Sequence, residues 1–118
     1  MLLPHVKAAL PAESYGMEMI ARFLGNSGSY EAARMLQQQI VDARMKEDAA
    51  SGAVHPRTLT ARDELAYWTG LAGDPAAARD QYSVLLPVFE RVLGPEHPDT
   101  LTARANLASW TEAAGKGP

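Results

Sequence analysis

The chain has 118 residues, of which 47% are hydrophobic, 21% charged and 7% aromatic, enough apolar content for one domain to bury a core once its pieces stack. A formal charge of −3 and a pI near 5.5 supply none of the positive field that phosphate backbones or acidic lipid surfaces require, which argues against nucleic acid and membrane as direct partners. The absence of cysteine removes disulfide scaffolds and thiolate metal sites together and fits a reducing, cytoplasmic setting.

Alanine and leucine are abundant while β-branched and aromatic residues are sparse, so the chain is expected to be all-α. Met1 to Leu10, interrupted by Pro4, His5 and Lys7, is too short and broken to span a membrane and lacks a signal-peptide cleavage region. It reads as a short preceding helix. Pro11 to Asn26 forms the next helix, and Gly25-Asn26-Ser27-Gly28 is its end rather than a nucleophile elbow, since the pattern is incomplete and no strand precedes it. A longer helix follows from Ser29, its cap, to about Asp48, and Asp48 to Val54 is a loop of small and polar residues. The next helix runs from about Thr58 to Ala72 and stops at Gly73. Asp74 then caps a helix with Pro75 at its first position, continuing to about Leu93. Gly94 can turn left-handed, Pro95 and Pro98 prevent continuation, and Leu101 to Ala114 forms the last helix.

These elements repeat. His55 to Gly73 recurs 42 residues later as His97 to Gly115, with 13 of 19 positions identical. A weaker copy lies upstream at an offset of 45, where Ile20, Ala21, Phe23, Gly28 and Ala32-Ala33-Arg34 match Leu65, Ala66, Trp68, Gly73 and Ala77-Ala78-Arg79. The three extra residues fall in the loop after Asp48. The frame divides a single 1–118 domain into a lead-in (1–13), a degenerate first repeat (14–54), a second (55–96) and a half repeat (97–118).

The linker Leu93-Gly94-Pro95-Glu96-His97-Pro98-Asp99-Thr100, with Asn106-Leu107-Ala108 and its altered copy Glu64-Leu65-Ala66, resembles the tetratricopeptide repeat family, in its 42-residue kinesin-light-chain-like form. The resemblance covers residues 14 to 115. It implies a right-handed α-solenoid of antiparallel helix pairs, about two and a half repeats long, that binds protein or peptide. The upstream copy departs from the family pattern at Met19, at Gln37 where Tyr82 stands, and in lacking His-Pro before its first helix. Leu2-Leu3-Pro4-His5-Val6 resembles the start of sensor arms that follow a nucleotide-binding switch domain in actinobacterial STAND/NB-ARC-type regulators, although no phosphate-binding Gly-x-x-x-x-Gly-Lys loop is present.

The two clear copies point to a binding face without any alignment. In the first helix, positions 63, 64, 67, 70 and 71 differ from their partners 105, 106, 109, 112 and 113. At about 100° per residue they share one arc of roughly 120°. Stacking dictates the shared side and leaves the differing side free, so the groove is expected at Thr60, Asp63, Glu64, Tyr67 and Leu71, then at Thr102, Ala105, Asn106, Ser109 and Glu112. By frame Tyr15, Glu18, Met19, Arg22 and Asn26 continue it. The strip suits an extended or helical peptide, with Asn106, whose amide can donate and accept at once and which falls where the family's groove asparagine lies, as the leading contact and Tyr67 as a stacking one.

Other features read as structure. His55 and His97 share one loop position, so the linker explains them better than metal ligation. Trp68, Trp110 and, by frame, Phe23 pack between helices. Met17, Met19, Met35 and Met45 suit helix packing. Arg62 and Arg104 are expected to pack their stems and pair with acids such as Glu90 or Asp99. No catalytic residue, metal or cofactor is expected. A second reading is self-association through the terminal helices, because Leu101, Leu107 and Trp110 lack a second-helix cover.

Overall fold

The protein, described at residues 15–116 by a computed structural model, contains five helices among those residues: α1 (Tyr15–Asn26), α2 (Tyr30–Ser51), α3 (Pro56–Leu71), α4 (Pro75–Leu93) and α5 (Pro98–Gly115). The lead-in and the expected helix start at Pro11 lie outside the described residues. α3 and α5 begin two or three residues before the positions expected from sequence, at Pro56 and Pro98. Proline is well suited to the first helical position, where its missing N–H has no intrahelical partner anyway. His97 caps α5, its Nδ1 accepting from the Asp99 N–H at 3.0 Å. His55 holds the matching place before α3 but turns its ring to Asp48, with Nδ1 2.6 Å from Oδ1, which ties the end of α2 to the start of α3.

The expected cap at Asp74 is present, its carboxylate accepting from the Ala77 N–H at 3.0 Å. Ser29 occupies the corresponding position before α2, but its hydroxyl makes no capping bond. Gly28, Gly52, Gly73 and Gly94 all adopt positive φ at helix ends, where a side chain would be strained. α4 continues through Pro87, which is exposed.

Each helix packs on the next in sequence, and α3 also touches α5. Stacking of this kind produces an elongated body of 53 × 33 × 21 Å. Its interior is two clusters that meet at α3. Ala21, Ile40, Val41, Ala61 and Leu65 join α1, α2 and α3, and Leu59, Ala66, Tyr82, Leu85, Phe89 and Ala103 join α3, α4 and α5. Alanines fully or almost fully buried at equivalent positions, Ala21 with Ala66, Ala33 with Ala78 and Ala61 with Ala103, let the helices approach closely.

The tryptophans pack as expected from their shared frame. Trp68 lies over Gly25 and Trp110 over Gly70, so that a Cβ on either glycine would sit 2.3 or 2.5 Å from the indole. Each indole thus enters a socket on the first helix of the preceding repeat. Phe23 holds the same frame position and is 68% exposed. The methionines correct the sequence reading: Met17 packs against the first cluster, whereas Met19, Met35 and Met45 are exposed, because the neighbouring helices do not close over those three positions.

Candidate functional site

The first helices α1, α3 and α5 lie in succession, and the expected strip crosses them. Thr60, Tyr67, Thr102 and Ser109 are exposed, Leu71 and Asn106 are half-buried, and Met19 is exposed. Arg22 and Glu64 are held together across the repeat boundary, Nη2 to Oε2 at 2.7 Å. Asn26 is exposed at the end of α1, Tyr15 opens α1, and Ala105 and Glu112 are exposed on α5.

Tyr67 is 41% exposed, and its position is set by edge-on contacts with Trp68, centroids 5.4 Å apart, and Trp110, 6.2 Å apart. Such contacts fix an aromatic side chain without covering its outer face. Asn106 donates from Nδ2 to the Tyr82 hydroxyl at 3.3 Å, and that hydroxyl in turn donates to Asp63 at 2.5 Å. The amide's NH2 is therefore oriented by the fold, while its carbonyl oxygen accepts no bond from another described residue.

Two members of the variable arc do not serve the strip. Asp63 turns inward to Tyr82, and burial pushes its carboxyl above the ordinary range despite the Tyr82 bond. Burial and the nearby Asp63 likewise push the Tyr82 hydroxyl upward. Gly70 is buried under Trp110, so its difference from Glu112 reflects a packing socket rather than a free surface. Glu18, at the frame position of Asp63, pairs with the buried Arg44 of α2. Gln37, at the frame position of Tyr82, reaches the Ala61 carbonyl at 3.0 Å.

The Arg22–Glu64 pair, the Tyr82 anchor and the tryptophan sockets were not found from sequence. The sockets had a signal, since Gly25 and Gly70 each stand two residues beyond the aromatic of their own repeat. Arg104 pairs with Glu90 at 3.0 Å as expected. Arg62 departs from expectation, for no acid among the described residues pairs with it, and α2 presents Met45 at the frame position of Glu90. Among the described residues no group of three His, Asp or Glu side chains could hold a metal ion, and no helix is long and apolar enough to cross a membrane.

Helix pairs in this order and register define a helical-repeat scaffold. Residues 58–99 match the family model for the tetratricopeptide repeat. Two solved structures of nearly identical TPR-like repeats from Podosopora anserina, described as kinesin light chain, share the fold. One of them, a point variant, superimposes with a TM-score of 0.73 at 24% identity over 92% of this chain and 52% of its own. The other gives a TM-score of 0.72 at 23% identity over 94% and 53%. The chain thus spans about half the length of the structures it matches, and no curated protein matches it.

Proposed function

We propose that the strip formed by Met19 and Arg22 of α1, Thr60, Glu64, Tyr67 and Leu71 of α3, and Thr102, Asn106 and Ser109 of α5 grips a partner polypeptide. Tetratricopeptide repeats generally mediate protein–protein contacts. In this chain the supporting observation is the Tyr67–Asn106 region, where an exposed ring and an amide are both held in place by groups beneath them. Pre-set side chains lower the ordering cost of binding. The amide oxygen suits a peptide N–H, and the ring suits an apolar side chain or a planar peptide unit. The segment acts as a non-enzymatic scaffold in the cytoplasm, as the regulatory part of a larger protein, with 1–118 forming one unit.

The test compares proteins retained by the wild-type chain with those retained by Tyr67→Ala and by Tyr67→Ala/Asn106→Ala. A partner that binds wild type and is lost from both variants is expected. A thermal melt of each variant is needed alongside, because Asn106 also donates to Tyr82. Retention of every partner by folded variants would count against the strip. A second reading, pairing with copies of itself, is favoured by the α1 surface, where Ile20 is 52% and Phe23 68% exposed.

A further inference from the structure

On the face of α3 opposite the strip, a cleft of about 430 Å3 opens between α2 and α4, within the size range of ligand pockets. Val41 and Met45 of α2, Leu65 of α3 and Val84 of α4 line it. Met45 and Val84 are 45% and 63% exposed there, which is apolar surface left in water. Arg62 projects into the same cleft. Its guanidinium makes no hydrogen bond or ion pair among the described residues, although partial burial works against its charge.

The repeat frame explains why. Arg104, the equivalent of Arg62, is paired with Glu90 on the preceding second helix. The frame position of Glu90 on α2 is Met45, so the acid that satisfies one arginine is absent beside the other. Asp80, also on the rim, is held by its neighbour Arg79 at 3.0 Å. The rim further carries Gln38 and Gln81, whose NH2 groups donate to Asp42 and Thr69 and whose carboxamide oxygens accept from no described residue.

We propose that this cleft is a second binding site, which takes an acidic residue flanked by apolar side chains on a partner polypeptide. The guest carboxylate pairs with Arg62 in place of the missing glutamate, apolar neighbours cover Met45 and Val84, and the glutamine oxygens accept guest backbone N–H groups. An unpaired, partly desolvated guanidinium beside apolar surface favours a carboxylate on an apolar frame over either feature alone.

The probe is a panel of amidated hexapeptides of the pattern apolar-Glu-apolar-apolar, with glutamine counterparts, followed by the NMR shifts of the whole chain. Glutamate peptides are expected to move the Met45, Val84 and Arg62 signals, and glutamine peptides to bind about tenfold more weakly or worse. Arg62→Gln should abolish the difference. Met45→Glu should supply the partner internally, leaving the melting temperature unchanged or higher while binding is lost. Equal binding of glutamate and glutamine peptides, unchanged binding by Met45→Glu, or no response from any peptide would overturn the proposal. So would a response to octanoate alone, which would mark a small-carboxylate site. Shifts confined to Tyr67 and Asn106 would overturn it too while supporting the strip on the opposite face.

Discussion

Gly70 carries no side chain because the Trp110 indole occupies the place where one would be, and a Cβ there would lie 2.5 Å from the ring. Alanine is otherwise the better helix former by about 1 kcal/mol, so the sign of Gly70→Ala reports which effect wins. Overpacking against a large ring costs roughly 1–3 kcal/mol, so a net loss in urea denaturation is expected, and it should largely vanish when Trp110 is also alanine. The Tyr82 hydroxyl serves Asp63 and Asn106 together. Tyr82→Phe leaves both without that partner, and a loss of roughly 1–3 kcal/mol is expected. Because burial raises the Asp63 carboxyl, the folded chain keeps this proton to higher pH than the unfolded chain does. Its contribution to stability therefore falls as pH rises from the ordinary carboxylate range through the raised value. Asp48 runs the other way: burial pushes it up, but the hydrogen bonds from the side chains of His55 and Thr58 and from the His55 backbone N–H together outweigh this and lower it, so its contribution is lost as pH falls through the lowered value. The difference between wild-type and Asp63→Asn melts across pH cancels Asp48 and should show the Asp63 slope alone. A flat difference would refute the assignment.

At the scale of the element, helix starts were legible from sequence as positions but not as bonds. Asp74 and Ser29 both stand at caps, yet only Asp74 reaches a backbone N–H. Asp74→Ala is expected to cost about 1 kcal/mol, while Ser29→Ala should be close to neutral. Thermal melts of the two variants decide this, and equal losses would show that the cap at Ser29 forms in solution. The shared frame of the first helices was likewise readable, because each repeat stacks on the next through the same surface and keeps the same packing residues there. Glu18 and Asp63 were not, since a wheel places a residue on a face without saying that Arg44 or Tyr82 draws its carboxylate inward.

For the molecule as a whole, the socket pattern makes the two ends unlike. The α1 end presents Phe23, the frame equivalent of Trp68, while α5 has Glu112 where Gly25 and Gly70 form sockets. A head-to-tail contact between copies would need Phe23 to enter a socket on α5, where Glu112 stands in place of the glycine, and such contacts are the ones that grow without closing. Sedimentation across a hundredfold concentration range is therefore expected to show monomers or closed dimers and no longer chains. Glu112→Gly opens the socket and should add concentration-dependent growth, and its failure to do so would remove the frame argument for end asymmetry.

The sequence by itself determined the helix pairs, their order and their register, because a repeat that must stack on its own copy writes the same packing residues at the same spacing. It also marked the face left over from stacking. Only the tertiary structure decided how the side chains of that face are held, since their partners come from helices distant in sequence: Arg22 crosses 42 residues to Glu64, and Asn106 crosses 24 to Tyr82. The unpaired Arg62 belongs to the same category, for its state depends on which residue of α2 the fold brings beside it, and that is a property of packing rather than of local order.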